Sequence, residues 1–495
     1  MNTSSQEIPV AEKTTTSKAI AGSQKLSVFE KVGYSLGDLA ANLVFQTLVT
    51  WIAYYYLNIY GLKPEHASML TLIVGLVAAF VFNPVMGAIA DRTKSRWGKF
   101  RPWILWTAVP LGVVSLLAFR TPDFSYQGKV IYAVITYALL LLLYAANNLP
   151  YSALSGVITG DMKERNSIGA YRFVAVMFAQ FFVQVFMYNF IIKVGGGTSV
   201  EAKAIGISKV MTVLAIIGTV MLIICFLTTR ERVIPKPEQK SSLKEDLADL
   251  FRNKPWIIML VVTTLVFITL AMKGGSYVYY FENYVNKEQL GTFLEPFKKF
   301  LPTFENDTSL GLGVFNGGGI LAGLVGIMLS QRFANKYGKR NTFMTSLFIS
   351  TLFIIFFYFF PPKSIGVIFG AQVLHGFFYG ISTPILWTMI ADVADFSEWK
   401  NNRRATAIIF SAMMVGLKAG LSIGSSLVSW ILGKYDYVAN STTGQTETAI
   451  NGTKLLVSIY PAIPFLIAVA LLFFYEIDKK KEMQIEADLK QRRAA

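Results

Sequence analysis

The loop DRTKSRWGKFR (residues 91–101) returns later in the chain as QRFANKYGKR (residues 331–340). Four positions recur at a constant displacement of 240 residues: Arg92, Arg96, Gly98 and Lys99 are matched by Arg332, Lys336, Gly338 and Lys339. This displacement is about half of the 495-residue chain. The sequence therefore predicts that the second half of the protein repeats the first.

Long apolar runs flank both loops. Hydrophobic residues make up 53% of the chain and charged residues 15%, whereas soluble domains have roughly 45–50% and about 25%. The runs are long enough for membrane helices of about 20 residues. Runs such as YALLLLLY (137–144) lack the alternation of barrel strands. The predicted spans are 35–60, 67–90, 102–119, 129–153, 169–194, 208–228, 256–285, 308–331, 341–361, 364–391, 405–433 and 453–476. The fold class is thus an all-α polytopic membrane protein with 12 transmembrane helices in two six-helix halves.

Polar segments set the domain boundaries. We predict a cytoplasmic tail over 1–30, a six-helix half over 31–228, a linker over 229–255, a second six-helix half over 256–476 and a charged cytoplasmic tail over 477–495. Within the linker, Leu243, Leu247, Leu250 and Phe251 share one helical face. Ser242 and Glu245 have the spacing of a capping box. This pattern predicts an amphipathic helix on the cytoplasmic surface, and a partner-binding helix is the alternative.

Basic residues indicate the orientation. Most of the 46 Lys and Arg residues lie in the tails and even-numbered loops, which predicts a multi-pass protein of the cytoplasmic (inner) membrane with both termini cytoplasmic. The same distribution accounts for the net charge of +16 without a nucleic-acid partner. A parallel repeat of six-helix halves predicts a central cavity and rocking of one half against the other. We expect the lipid bilayer as the surroundings and a monomer as the oligomeric state.

Other function classes find no support in the sequence. Cys225 is the only cysteine, so there is neither a disulfide framework nor a Cys/His metal cluster. No Walker A motif and no Ser/His/Asp or paired-carboxylate constellation is present. The glycines at 317–319 and 323 indicate close helix packing rather than a phosphate loop. His375 is interpreted as a core histidine. We expect no enzyme activity, no cofactor and no bound metal.

Five strings, in order, resemble one transporter family. They are YYY (54–56), NPVMGAIADRTKSRWGKFRPW (83–103), YAANNLPY (144–151), YRF (171–173) and IADVADFSEWK (390–400). The repeated loop resembles the signature of the major facilitator superfamily. The full set is similar to the glycoside–pentoside–hexuronide:cation symporters, the melibiose permease group, over residues 28–478. This resemblance implies a major facilitator superfamily fold.

The resemblance also implies site residues. It places Lys418 at the lysine of the family's eleventh membrane helix, Arg172 at the arginine of the fifth, near the sugar, and Tyr144 at the tyrosine of the fourth. The family's sodium-site carboxylates are absent here. The corresponding positions are Asn42, Ala79, Asn83 and Asn148, and the tryptophan expected after the last of them is Ser152. Because amides lack the charge that offsets ion desolvation, sodium coupling of the melibiose kind is doubtful, whereas amides suit sugar hydroxyls.

Charged residues inside the predicted spans are the main site candidates. Arg172, Lys273 and Lys418 lie within apolar segments, where a basic residue is costly unless it faces water or a partner. Asp38 shares a helical face with Asn42, and it could bind sugar, pair with Lys418 or Arg172, or carry a proton. Snorkelling of the cations and solvation of Asp38 at a helix end are the alternatives. Glu282 is interpreted as a solvated helix end.

The predicted sites follow from these candidates. The substrate site consists of Asp38, Asn42, Tyr144, Asn148, Arg172, Lys273 and Lys418, and the cation-coupling candidates are Asp38, Asn83, Asn148 and Lys418. Tyrosines after Lys273 could stack on sugar rings or be interfacial aromatics. The predicted cytoplasmic gate between the halves consists of Asp91, Arg92, Arg96, Lys99, Arg332, Lys336, Lys339, Asp392, Asp395 and Glu398, with Arg403 and Arg404 beside them.

The sequence thus predicts a secondary active transporter. We expect a symporter that moves a sugar, glycoside, oligosaccharide or hexuronide by alternating access. Excess positive charge at the predicted site favours an anionic substrate such as a hexuronide, and a neutral oligosaccharide is the alternative. H⁺ is the first choice of coupling ion and Na⁺ the other. Facilitated diffusion and a non-transporting sugar sensor on the same scaffold remain alternatives.

Overall fold

The computed structural model describes residues 25–233, 252–401, 406–441 and 443–494. Within these ranges the chain forms helices. They are α1 (Val28–Ile59), α2 (Pro64–Arg92), α3 (Arg101–Ala118), α4 (Tyr126–Ile158), α5 (Met162–Gly195), α6 (Val200–Thr228), α7 (Lys254–Asn283), α8 (Lys287–Phe300), α9 (Asp307–Tyr337), α10 (Lys339–Phe356), α11 (Ile365–Asn401), α12 (Thr406–Lys434), α13 (Glu447–Leu472) and α14 (Lys479–Ala494). The predicted linker helix around Leu243, Leu247 and Leu250 lies outside the described residues.

Twelve of these helices form the membrane bundle. Eleven in the described part of the chain are long and apolar enough to cross a bilayer. The twelfth is α10, an 18-residue helix whose first turn holds Lys339 and Arg340 and whose remainder carries no charged residue and is mostly apolar. The short helix α8 and the terminal helix α14 lie outside the bundle's spans. The prediction of twelve membrane helices is therefore confirmed, and one half's packing repeats the other's. In the first half α1 packs on α5 and α6, as α7 packs on α12 and α13 in the second.

The halves meet along two equivalent helix pairs. Helix α2 packs against α12, and α5 packs against α9, so each half contributes its second and fifth membrane helices to the interface. Helices α1 and α7 also touch at its centre. One end of the bundle, the far end, holds the connections 60–63, 119–125, 196–199, 284–306, 357–364 and 435–446. The opposite end, the near end, holds the connections 93–100, 159–161 and 473–478 and both described termini.

Several helices begin earlier than the sequence indicated, because side chains cap them. Ser27 Oγ accepts a hydrogen bond from Glu30 N at 3.1 Å and starts α1 at Val28, inside the predicted tail. Ser199 caps α6 in the same way, 3.2 Å from Ala202 N. As a result Lys203, which lies outside the predicted span 208–228, is within α6.

The charged end of the chain is also a helix. In α14, Ile485 and Leu489 are buried against the second half. Trp399 Nε1 donates to Asp488 Oδ2 at 2.8 Å, and Lys339 Nζ lies 2.9 Å from Glu482 Oε1. These contacts explain why a segment predicted as a charged tail packs on the protein.

Glycines let α9 and α11 approach closely, as the sequence predicted for the glycines near 320. A Cβ added at Gly380 would lie 2.1 Å from the carbonyl oxygen of Gly323, and one at Gly376 would lie 2.2 Å from that of Gly319. Because backbone carbonyls cannot move aside without shifting the whole helix, these positions exclude larger residues.

This packing predicts that Gly380→Ala destabilises the protein although alanine favours a helix. We expect a loss of about 3 kcal/mol, since a methyl group must displace the backbone of α9. Thermal unfolding in detergent measures the effect. Gly370→Ala on the same helix is the matched control, because no atom lies within 4 Å of its added Cβ. Equal unfolding temperatures for the two variants would refute the close contact.

Candidate functional site

A cavity lies between the two halves of the bundle. Helices α1, α2 and α4 of the first half and α12 of the second line a space of about 590 Å³, which is open on one side and includes the solvent at its mouth. Its lining is apolar apart from a few groups, namely Asn83, Tyr137, Tyr144, Lys418, Ser422 and Ser425. An apolar pocket with a small set of converging polar groups is typical of a site for a small molecule.

Lys418 is the charged group of this cavity. It extends from α12, and its ammonium donates a hydrogen bond to Asn83 Oδ1 on α2, across the interface between the halves. The same nitrogen lies 6.0 Å from the ring centre of Tyr144, within reach of a cation–π attraction. Among the residues that the structure describes, no carboxylate pairs with Lys418. Two of the predicted substrate residues, Tyr144 and Lys418, therefore meet in one place.

Tyr144 and Phe45 form the aromatic wall of the cavity. Their rings are nearly parallel, at 19°, with centroids 6.3 Å apart. Both rings line the cavity, which gives a sugar an apolar surface against which its C–H face can pack. The hydroxyl groups of Ser422 and Ser425 lie along the α12 side of the same space.

Asp38 and Arg172 form an ion pair within the first half. The guanidinium of Arg172 on α5 donates to both carboxylate oxygens of Asp38 on α1. It also lies over two rings, 5.6 Å from Tyr34 and 5.4 Å from Tyr151. Each of these tyrosines donates its hydroxyl to the other's backbone carbonyl at 2.8 Å, so the two rings are fixed. The Arg172 side chain keeps 27% exposure, so this pair is partly open to solvent.

The predicted amide ligands are arranged differently from one another. Asn42 donates to the backbone oxygen of Asp38 at 2.9 Å, one helical turn away. Asn148 is half-buried, and its neighbour Asn147 is the buried residue that donates to Thr107 Oγ1 at 2.8 Å. Neither Asn42 nor Asn148 lines the cavity with Lys418. Of the predicted cation-coupling set, only Asn83 and Lys418 are in direct contact.

Lys273 lies apart from this cavity. It is buried on α7 inside the second half, 6% exposed, with its ammonium 5.5 Å from the ring centre of Tyr277. Tyr277 in turn donates to Gln372 Oε1 at 3.0 Å. Tyr279 and Tyr280 are fully buried as well. The tyrosines after Lys273 are therefore neither stacking surfaces of the cavity nor interfacial aromatics, because α7 turns this face towards neighbouring helices.

His375 belongs to the core near Lys273. Its ring lies in the second half, with Nδ1 2.8 Å from Ser350 Oγ and 3.1 Å from Ser350 O. The interpretation of a satisfied core histidine is confirmed.

Two pairs of the predicted cytoplasmic gate residues bind within their own halves. Lys339 binds Asp392 at 2.7 Å in the second half, and Lys99 binds Asp91 at 2.9 Å in the first. The other basic members are exposed: Arg92, Arg332, Arg96 over Trp97, and Lys336 over Tyr337. Asp395 and Glu398 have partners too. Arg403 and Arg404 lie outside the described residues.

Glu282 joins the halves at the far end of the bundle. One oxygen, Oε1, accepts from Tyr54 Oη on α1 at 2.7 Å, from Lys203 Nζ on α6 at 2.9 Å, and from Tyr188 Oη on α5. Lys203 also donates to Tyr54 Oη at 2.7 Å. The interpretation of Glu282 as a solvated helix end is thus wrong, since its carboxylate is 18% exposed and bound on three sides.

A second cation lies close to this cluster. Lys287 at the start of α8 donates to the backbone oxygen of Phe281 and, at 3.2 Å, to Thr308 Oγ1. Burial lowers the pKa of Lys287, and the nearby Glu282 carboxylate partly opposes that shift.

Sequence analysis missed this cluster for an identifiable reason. The predicted sixth span begins at residue 208, eight residues after the observed start of α6 at Val200. Lys203 was therefore treated as a loop residue. Once the capping signal of Ser199 is read, an acid on α7 and a base on α6 stand at the same end of the bundle, and this is the signal that would have found them.

Other bonds between the halves also lie at the far end. Asn58 Nδ2 donates to Tyr437 Oη at 2.8 Å, and Asn58 O accepts from Asn440 at 2.7 Å. Asn189 on α5 binds the segment before α9, accepting from Glu305 N at 2.8 Å. Ser68 and Ser426 lie 2.8 Å apart. Between described residues, Lys418 to Asn83 is the link nearest to the near end. We call the contacts of Glu282, Asn58, Asn189 and Ser68 the far-end seal.

Comparison with known proteins gives a consistent result over almost the whole chain. The sequence model of the family described as MFS/sugar transport protein matches residues 33–479. The Escherichia coli protein named inner membrane symporter YicJ is 34% identical, over 90% of this chain and 91% of its own. The isoprimeverose transporter of Lactiplantibacillus pentosus is 29% identical, over 94% and 92%.

Solved structures agree on the fold. A bacterial homologue of the human lysosomal transporter Spinster, solved in an inward-facing and unoccupied conformation, superimposes with a TM-score of 0.60. It is 15% identical, and the match covers 93% of this chain and 98% of that one. At this identity the likeness concerns the fold alone.

Proposed function

The chain belongs to the family of MFS/sugar transport proteins, as the sequence resemblance indicated, and on that premise we propose a substrate site, a coupling ion and a transport cycle. It is a secondary transporter of the multi-pass membrane type and not an enzyme. Its relatives include a protein named putative glycoside/cation symporter, 32% identical over 95% of this chain. The protein is accordingly a symporter of sugar-type small molecules.

The substrate binds in the cavity between the halves, and the observation that carries this proposal is the position of Lys418. Lys418 and Asn83 come from opposite halves and meet beside the Tyr144 ring. A sugar bound there contacts both halves at once, which couples occupancy to their relative motion. Asp38 and Arg172 are assigned to proton coupling instead of substrate binding, because both lie within one half and Arg172 is partly exposed. Lys273 is left out of the substrate site.

The substrate is a glycoside that carries a carboxylate. Lys418 has no carboxylate partner among the described residues, whereas Arg172 has Asp38. An anionic substrate would supply the missing charge. One relative, 30% identical, is named glucuronide carrier protein homolog. A neutral glycoside is the second candidate, supported by the amide oxygen of Asn83 that already accepts from Lys418.

This proposal predicts that Lys418→Gln changes substrate preference. We expect uptake of a hexuronide to fall about tenfold relative to a neutral glycoside, because one charge-assisted hydrogen bond is lost. Competition assays in proteoliposomes measure the ratio. Lys434→Gln is the matched control, because Lys434 lies at the far end of the same helix and outside the cavity. An unchanged ratio would favour a neutral substrate.

Protons drive the cycle in this proposal. Asp38 is a carboxylate of the first half that lies within the bundle. Its partner Arg172 is partly exposed to solvent. A proton on Asp38 would release Arg172, and deprotonation would restore the pair. Family positions that hold carboxylates for sodium are amides or alanine here, namely Asn42, Ala79, Asn83 and Asn148. Sodium coupling and facilitated diffusion are the alternatives.

The transport unit is a monomer, because the cavity is enclosed by the helices of one chain.

With both termini cytoplasmic, the far end faces the outside, and the far-end seal makes this conformation closed to the outside. Outward opening then requires that the seal breaks while the near-end groups of the two halves come together.

Uptake into proteoliposomes tests the function. Labelled hexuronides and neutral glycosides are offered with an imposed proton gradient, an imposed sodium gradient, or neither. Accumulation driven by protons alone supports the proposal. Accumulation driven by sodium alone contradicts the coupling ion, equilibration without accumulation indicates facilitated diffusion, and absence of uptake for every substrate would favour the sensor.

A further inference from the structure

A lysine lies on the surface of α6 that faces outwards from the bundle. Lys209 shares one helical stripe with Ile205, Val213, Ile216 and Val220, whose side chains are 49–60% exposed. Such a stripe of exposed apolar residues faces lipid. Lys209 is exposed with them, and it forms no ion pair or hydrogen bond with any residue in the described ranges. A single cation therefore stands in an otherwise apolar surface.

The surface beside Lys209 is concave. Helices α5 and α6 touch near the far end, where a Cβ on Gly206 would lie 1.9 Å from the backbone oxygen of Ile191. Beyond this contact a groove of about 990 Å³, counted to its open side, runs between the two helices. It is lined by Phe182, Phe190, Val194, Lys209, Val210, Thr212, Val213, Leu214 and Ile217.

Among the residues that line the groove, Lys209 is the one that can bind the polar end of a ligand. The hydroxyl of Thr212 donates to Ser208 O of its own helix at 2.7 Å, and the other lining residues are apolar. An uncompensated ammonium at this depth is costly, and a lysine lowers that cost by extending towards the headgroup region. Lys209 lies nine residues into α6, about 14 Å from its start. Because a helical side chain leans towards the start of its helix, the flexible stem of Lys209 can extend the ammonium towards the far end.

We propose that this groove is a binding site for one anionic phospholipid of the bilayer leaflet at the far end. The anionic headgroup pairs with Lys209, and an acyl chain lies along the apolar walls formed by Phe182, Leu214 and Ile217. Charge complementarity selects an anionic lipid over a zwitterionic one, because the positive choline group of the latter offsets its phosphate. The open side of the groove admits a chain laterally from the bilayer.

The site has a consequence for the transport cycle. The two helices that form it also carry part of the far-end seal, namely Tyr188 and Asn189 on α5 and Lys203 on α6. A lipid wedged between α5 and α6 would hold these side chains in their present arrangement. Lipid composition would then bias the protein towards the conformation that is closed at the far end.

Lipid binding to the purified full-length protein tests the proposal. Phosphatidylglycerol and phosphatidylcholine with identical acyl chains are titrated in detergent, and bound lipid is counted by native mass spectrometry. We expect phosphatidylglycerol to bind one molecule about fivefold more tightly than phosphatidylcholine. Lys209→Ala should remove this preference, and Lys209→Arg should keep it. Glycerol phosphate without acyl chains should not compete, because the groove binds the chain as well as the headgroup.

Two further variants separate this site from unspecific attraction. Lys299→Ala removes an exposed cation of α8, at the same end of the protein but outside the groove, and should keep the preference. Val213→Trp fills the groove at an exposed position and should weaken both lipids several-fold. Thermal unfolding in detergent alone checks that each variant is folded.

The proposal is overturned by any of four results. Lys209→Ala could bind phosphatidylglycerol as the wild type does, Lys299→Ala could lose the preference equally, or Val213→Trp could leave lipid binding unchanged. A fourth result is a wild-type protein with the mass of a dimer and a Val213→Trp variant with the mass of a monomer. It would also overturn the proposal, because the groove would then be covered by a second copy of the chain.

Discussion

Asparagine in place of Asp38 is expected to reduce proton-driven sugar uptake on the order of 100-fold. Asparagine keeps the shape of the side chain and removes its charge, so the guanidinium of Arg172 loses its ionic partner and keeps an amide oxygen and the faces of Tyr34 and Tyr151. Removing one partner of a buried ion pair costs about 3 kcal/mol or more, and because Arg172 is partly exposed we take the lower end, which corresponds to this factor. The measurement is initial uptake into proteoliposomes under an imposed proton gradient.

Substrate counterflow distinguishes coupling from positioning for Asp38. Exchange of labelled for unlabelled sugar needs no net proton movement. If Asp38 is a coupling residue, Asp38→Asn should therefore reduce exchange less than it reduces accumulation. If Asp38 only positions Arg172, both assays fall together, and Arg172→Gln falls to the same level. Asp123→Asn is the matched control, since Asp123 is an exposed residue of the connection between α3 and α4. Full sodium-driven accumulation in Asp38→Asn would contradict the proton proposal and leave cation binding to Asn42, Asn83 and Asn148.

Glutamine in place of Glu282 is expected to open the far end. The variant loses the charge that holds Lys203, Tyr54 and Tyr188 to the second half. Hydrogen bonds to a charged group contribute about 1.5–3 kcal/mol each, so we expect the ratio of closed to open molecules to fall by roughly 10- to 100-fold. The Lys203 and Glu282 side chains are 8% and 18% exposed, so solvent screens their pair only weakly.

Cysteine labelling from outside measures this opening. Thr50 on α1 is buried at the centre of the interface, where its hydroxyl lies 3.7 Å from a Cβ added at Gly274 of α7. A cysteine at position 50 should react faster with a membrane-impermeant thiol reagent in the Glu282→Gln background. The native Cys225 is buried and gives little background. Glu288→Gln, an exposed acid in the first turn of α8, is the control.

A double-variant cycle tests whether the ion pair carries the effect. Lys203→Gln alone should also raise labelling, and combining it with Glu282→Gln should add little, because both variants remove the same interaction. Additive effects would mean that the two side chains act separately. Labelling equal to the wild type in all three would show that the seal rests on the contacts of Asn58 and Asn189 instead.

The sequence by itself determined the class of the protein. Apolar runs of membrane-spanning length, together with the repeated loops at Arg92 and Arg332, gave twelve helices in two halves. The physical reason is that a bilayer requires each backbone polar group to be bonded within its own helix, which fixes the length and composition of every span. Resemblance in five strings identified the family, and with it Tyr144 and Lys418, which the structure brings together in one cavity.

Only the tertiary structure decided which way each helix turns its side chains. Lys273 and Lys418 are similar in sequence surroundings, yet one is buried in the second half and the other faces the cavity. Glu282 likewise gained its partners only when α7 was placed beside α1, α5 and α6. In a helix that is apolar all round, hydrophobic periodicity does not distinguish the face towards lipid from the face towards protein. The rotation of each helix is set by its packing against neighbours, as at Gly323 and Gly380, and packing is a property of the assembled bundle.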